Sequence, residues 1–169
     1  MLRKLCLLFG LVLVVSLSAR AQDSDKIQLF GGYSFQHVDS SGGPSFNQNG
    51  WEASAEYKFS HLIGLVADFD GHYGTTGGLN SSVYTYMFGP QVSIPGRLSP
   101  FAQVLVGGGH AHFTGNFTDN SVAWTLGGGV DYRIIPGIYF RAQVGWEPTY
   151  FFNQTQNNVR VSTGLVVHF

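Results

Sequence analysis

Glu52, Glu56 and Lys58 share one parity within a short stretch, and Asp68, Asp70 and His72 share one parity in the next. In a strand, residues two and four apart project to the same face. Asp131 with Arg133, Arg141 with Glu147, and Arg160 extend the pattern further along the chain. These side chains of both signs could form ion pairs or line a hydrophilic path, with His72 and His168 as further candidates. An enclosed ion needs a partner or water, because burying it alone is costly. Two readings follow. One is a plug of ion pairs that stiffens the fold. The other is a narrow path that opens when pairs such as Glu52 with Arg141 exchange partners.

Other residues suggest chemistry less strongly. His110-Ala111-His112 places two imidazoles on one strand face. A zinc site needs three or four ligands, and the other candidates lie on different segments, so no metal and no cofactor is expected. Gly107-Gly108-Gly109 and Gly127-Gly128-Gly129 sit inside strand patterns with no helix after them, unlike phosphate-binding loops. In strands such glycines permit close approach, and inward ones would leave room for Tyr139 or Arg141. Acyl chemistry on a lipid would need a serine, a histidine and an orienting carboxylate together on the apolar face. The strand carboxylates nearly all take the opposite parity, and His110 and His112 have no serine beside them. No catalytic residue is expected, and the chain does not read as an enzyme.

Eight alternating segments would position these groups: 27–38, 51–59, 63–73, 83–93, 101–112, 122–134, 138–150 and 158–169. In the second, Trp51, Ala53, Ala55, Tyr57 and Phe59 oppose Glu52, Ser54, Glu56 and Lys58. The sixth and seventh repeat the division, with Trp124 and Trp146 on the apolar side and Asp131 and Arg141 on the polar side. The first, fourth and fifth are less regular, since apolar residues and glycines fall on both parities.

Before these segments stands a targeting sequence. Arg3 and Lys4 precede an apolar run from Leu5 to Leu17, and Ala19-Arg20-Ala21 offers a small-x-small cleavage site. That run is too short for a membrane helix, which needs about 20 residues. A cleaved Sec-type signal over residues 1–21 is expected, with the domain at 22–169. Cleavage removes the only cysteine, Cys6, and three basic residues, leaving six Lys and Arg against ten Asp and Glu. An acidic chain of this kind does not suit nucleic acid.

Charged residues make up 11% of the chain and aromatics 15%. A soluble barrel, such as a lipocalin-like binder, would need charge over its whole exterior, and six cations are too few. The apolar face is therefore placed against lipid and the charged face in the lumen. Connections alternate between short ones, such as Ile135-Pro136-Gly137, and longer Gly-, Ser- and Asn-rich ones, such as Asp39 to Gly50. That asymmetry puts the short turns in the periplasm. Phe35, Trp51, Tyr73, Trp124 and Trp146 then fall near the outer strand ends, and Phe59, Tyr132 and Phe169 near the inner ends. Such positions suit two interfacial girdles.

Four further stretches carry a family likeness: Phe88-Gly89-Pro90; Pro100-Phe101-Ala102-Gln103 leading to the first glycine triplet; Gly127-Gly128-Gly129-Val130-Asp131-Tyr132; and Val159-Arg160-Val161-Ser162-Thr163-Gly164 running to Phe169. With these the chain resembles the OmpA-like transmembrane domains, the small outer-membrane β-barrels that include OmpX-type proteins. The resemblance implies an all-β, eight-stranded antiparallel up-and-down transmembrane barrel in a Gram-negative outer membrane. It also implies that the barrel-assembly machinery reads the 159–169 strand and its terminal Phe169. The chain stops at the barrel, so a following periplasmic domain is not expected.

The expected protein is a monomeric structural or porin-like barrel in outer-membrane lipid. Its lumen network would comprise Glu52, Glu56, Lys58, Asp68, Asp70, Asp131, Arg133, Arg141, Glu147 and Arg160. A narrow channel for small solutes or ions is one alternative. Surface binding through residues 39–50 and 113–121 is another, and a soluble lipocalin-like binder a third.

Overall fold

The computed structural model describes residues 26–40, 45–76, 79–113, 117–151 and 154–169. Eight strands follow one another: β1 (Ile27–Ser40), β2 (Phe46–Lys58), β3 (Ile63–Thr76), β4 (Leu79–Ser93), β5 (Leu98–Phe113), β6 (Phe117–Ile135), β7 (Ile138–Phe151) and β8 (Gln154–His168). Each pairs with its chain neighbours, and β1 pairs antiparallel with β8, closing the barrel. Closure leaves no strand edge to solvate, which a sheet in hydrocarbon requires. The seam is completed at the C-terminus, where the Phe169 N–H donates to Ile27 O at 2.8 Å and the Ile27 N–H donates to Phe169 O at 3.2 Å. The expected leader, residues 1–21, lies outside the described residues.

The alternation of side chains decides which face is which. Leu29, Tyr33, Trp51, Tyr57, Leu65, Phe69, Tyr86, Phe88, Val104, Leu126, Phe140 and Val161 all point outward and are exposed. The buried polar set faces inward, including Gln28, Ser34, Glu52, Asp68, Thr125, Arg141 and Arg160. A soluble lipocalin-like barrel would have the reverse arrangement, so that alternative is excluded. Trp124 and Ile134, ten residues apart on β6, span about 26 Å along the barrel axis at about 3.4 Å per residue and about 40° of tilt. That height matches an outer-membrane apolar band of about 25 Å.

The strands differ from the sequence reading at their outer ends. β2 begins at Phe46 rather than Trp51, β6 at Phe117 rather than Val122, and β8 at Gln154 rather than Asn158. Backbone pairing continues through Asn, Gln, Ser and Thr because a ladder in water needs no apolar side chain. The expected long loops are therefore mostly strand, and Trp51 and Trp124 lie well below the strand tips. At the periplasmic end the turns are tight, and Gly137 holds φ +80°, a left-handed backbone that suits glycine.

Glycines also let side chains lie flat on the wall. A Cβ on Gly108 would meet the Tyr86 ring carbon Cζ at 2.9 Å, so the tyrosine covers that bare backbone. Inward Gly129 sits against backbone instead of making room for Tyr139 or Arg141. A Cβ there would fall 2.3 Å from Ala142 O.

Candidate functional site

The lumen is filled in layers. Next to the periplasm is an open cavity of about 690 Å³, lined by Lys26, Gln28, Lys58, His61, Tyr139 and His168 among others. The Tyr139 and His168 rings stack there with centroids 4.0 Å apart. Tyr139 also packs with Phe30 and Val166 in an apolar cluster. This cluster separates the mouth from the deeper lumen, and the sequence reading, which expected only polar filling, did not foresee it.

The first ionic layer pairs neighbouring strands. Asp131 on β6 lies directly across from Arg141 on β7. Arg141 Nε donates to Asp131 Oδ1 at 2.7 Å and Nη2 donates to Oδ2 at 2.8 Å. This bidentate fork is the strongest geometry an arginine offers a carboxylate. The guanidinium is flanked by the rings of Phe101, 4.3 Å from the centroid, and Phe30, 5.3 Å away. Close by, Gln91 Nε2 donates to Glu56 Oε2 at 2.8 Å. Gln28 links the next two charges, donating to Glu56 and accepting from Lys58 Nζ, each at 2.9 Å. Lys58 also donates to Ser93 Oγ at 3.0 Å. Two cations meet two carboxylates in this layer.

The second ionic layer is centred on Arg160 of β8. Its Nη2 donates to Asp68 Oδ2 at 2.8 Å and its Nη1 to Asp70. Glu147 Oε2 lies 3.4 Å from Nη1 and Glu52 Oε2 3.7 Å from Nε. All five residues are buried, none more than 2% exposed. Neutral groups complete the shell. Thr125 Oγ1 donates to Glu147 Oε2 at 3.2 Å and Gln36 Nε2 to Glu147 Oε1 at 3.3 Å. Gln143 donates to Glu52 and Thr85 to Asp70. An apolar cluster of Val66, Met87, Leu105 and Ala123 adjoins this layer, with Thr125 Oγ1 3.3 Å from Met87 Sδ.

Nine of the ten expected lumen residues thus line the barrel interior. The tenth, Arg133, is exposed at the periplasmic rim. The β6–β7 register shifts between Arg133 and Ile135, and the barrel opens to water at that rung, so the guanidinium is not enclosed. The partners also differ from expectation. Arg141 binds Asp131, and the cation facing Glu52 is Arg160. His110 points outward and contacts Asn120 Oδ1 through Nδ1 at 2.7 Å. The side chain of His112 lies outside the described residues. Among the described residues, no cluster of three or more His, Cys, Asp or Glu has metal-binding geometry.

One arrangement was missed. Ser34 Oγ lies 2.9 Å from His72 Nε2, and His72 Nδ1 lies 3.0 Å from Asp70 Oδ1. The order matches that of a nucleophile, base and orienting acid. The surroundings do not support that chemistry. Ser34 and His72 are fully buried and Asp70 nearly so. Ser34 Oγ is also bonded to Ser162 Oγ at 2.9 Å, and Asp70 is already held by Arg160. Ser34 lies in register with both Gly50 and Ser162, so the local backbone serves the ladders rather than a developing oxyanion. The three residues act as hydrogen-bonded filling. Parity alone would have found Ser34, which shares a face with Gln36.

Comparison with known proteins places this architecture. The barrel superposes on Neisserial surface protein A with a TM-score of 0.74 at 15% identity, covering 86% of this chain and 98% of that one. It is similar to Ail, the attachment invasion locus protein of Yersinia pestis, with a TM-score of 0.62 at 17% identity over 83% and 97% of the two chains. OprG of Pseudomonas aeruginosa gives 0.59 at 10% identity over 85% and 95%. At such identities the likeness establishes the fold alone. No curated protein matches the sequence. Residues 7–169 match the outer membrane protein beta-barrel domain. The chain therefore belongs to the outer membrane protein beta-barrel domain family and resides in the bacterial outer membrane.

Proposed function

We propose that this protein is a structural outer-membrane barrel whose lumen is a closed, hydrogen-bonded plug, and that it carries no catalytic activity. The observation that supports this most directly is the reach of Arg160. From β8 it contacts carboxylates on β2, β3 and β7, tying opposite walls together. Two apolar clusters also pack within the lumen, Phe30 with Tyr139 and Val166, and Val66 with Met87, Leu105 and Ala123. An eight-stranded interior is only wide enough for side chains to fill.

The protein reaches the membrane through a cleaved leader at residues 1–21, and the barrel-assembly machinery receives the 159–169 strand with Phe169. It acts as a monomer. Proteoliposome swelling tests the closed lumen. Wild-type barrels should give no uptake of small sugars above empty liposomes, and swelling at rates typical of a porin would refute the plug.

A second reading is surface attachment. β6 continues from Trp124 up to Phe117, so polar strand projects above the apolar band, and one structural neighbour is named for attachment. Loss of cell-surface binding on exchanging the β1–β2 and β5–β6 hairpin tips for minimal turns would support it.

A further inference from the structure

The two ionic layers differ in charge balance. In the lower one Arg141 and Lys58 match Asp131 and Glu56. In the upper one Glu52, Asp68, Asp70 and Glu147 face one permanent cation, Arg160. Among the described residues, His72 on β3 is the only other ionisable group bonded within it. Gln143, Gln36, Thr85, Thr125, Ser34 and Ser162 also contribute to the shell and are neutral. A buried layer with so large a negative excess is strongly destabilising unless it takes up positive charge.

The imbalance has an atomic address. Glu52 Oε1 accepts from Gln143, and Asp68 Oδ2 accepts from Arg160. The other oxygen of each carboxyl, Glu52 Oε2 and Asp68 Oδ1, is buried and receives no hydrogen bond. The two residues are diagonal neighbours on paired strands, Glu52 in register with Asp70 and Ser54 with Asp68, and both carboxyls reach the same Arg160 guanidinium. Two ionised carboxylates held this close repel. A hydrogen between them turns the contact into a short charge-assisted bond and removes one negative charge.

We propose that Glu52 and Asp68 form a proton-binding site inside the plug, holding one hydrogen between Oε2 and Oδ1 as a carboxyl–carboxylate pair. This rests on the closed-lumen reading for its dry surroundings. The proton is taken from solvent and no other bond changes.

Isosteric amides test it. In D68N the new amide nitrogen can donate to Glu52, while its oxygen still accepts from Arg160. In E52Q the new nitrogen can donate to Asp68, and its oxygen still accepts from Gln143. Both variants supply the missing donor without a proton. Infrared spectra of the purified folded barrel at neutral pH should show the C=O stretch of a protonated carboxyl. D68N and E52Q should each lose that band, and E147Q should keep it. Wild-type protein carrying carboxyl-labelled aspartate or glutamate should shift it in at least one label, which needs no variant to fold. A wild-type spectrum without the band overturns the proposal. So does a band that survives both amides, or a stoichiometric metal in wild type that D68N loses. Sugar exclusion by the same proteoliposomes is read separately. A closed barrel lacking the band sinks the proton and leaves the plug standing.

Discussion

Arg160 on β8 and Asp68 on β3 meet across the lumen, with Nη2 to Oδ2 at 2.8 Å, although their strands are not neighbours in the barrel. A contact of this kind can form only after the barrel has closed. It converts a ring of nearest-neighbour ladders into a cross-braced cylinder. The Arg141–Asp131 fork, by contrast, joins adjacent strands directly across from each other and can form before closure.

Removing the cross-brace should be expensive. R160A leaves four buried carboxyl groups without their cation, and breaking a buried pair in this way costs about 3–5 kcal/mol. Urea unfolding in detergent should show the midpoint falling accordingly. R160K should retain part of the stability, because an ammonium keeps the charge but not the fork. An R160A midpoint equal to wild type would mean the layer contributes nothing to stability.

R141A should destabilise the barrel by a similar order, about 3–5 kcal/mol, since it leaves Asp131 buried and unpaired. It should not open the lumen. The Arg160 layer, which braces β8 against β2, β3 and β7, lies elsewhere in the barrel and remains intact. Sugar uptake into proteoliposomes by R141A would contradict this division between the layers.

All three tryptophans, Trp51, Trp124 and Trp146, point outward. Trp124 and Trp146 meet edge to face with centroids 5.0 Å apart. Such a pair contributes about 0.5–1.5 kcal/mol beyond its buried area, so W124A and W146A should show a coupling of that size in a double-mutant cycle. Brominated lipids should quench the fluorescence of all three tryptophans. An unquenched tryptophan would show that its stretch of wall does not face lipid.

Two glycines make a paired test of close strand approach. A Cβ at Gly89 would lie 1.9 Å from Val104 O, while one at Gly31 meets nothing within 4 Å. G89A should disrupt β4–β5 pairing and lower the yield of the heat-modifiable folded form. G31A should fold like wild type. Equal behaviour of the two variants would remove the steric argument.

How much of this was readable from sequence depended on the contrast between faces. In β2, β6 and β7 the outward residues are aromatic or branched and the inward ones charged, so parity identified them. In β1, β4 and β5 the inward residues Phe30, Met87, Phe101 and Leu105 are as apolar as the outward ones, which hid the lumen's two apolar clusters. The outer strand ends were missed because Asn, Gln and Ser carry no burial signal while their backbones still pair. Faces were thus legible, but heights in the lumen were not. Strand tilt and stagger set which rungs share a level, and they bring Glu52 to Arg160 rather than to Arg141. Ser34 and His72 had the right parity, yet no local feature announced that they would touch.

The closed lumen is tested most directly by single-channel conductance in planar bilayers, comparing wild type with R160A. The wild-type barrel should insert, as judged by its heat-dependent gel mobility, and give no stable unitary current at neutral pH. R160A should give discrete openings, because the carboxylates lose the group that holds them across the lumen. A steady wild-type current that R160A leaves unchanged would contradict the plug.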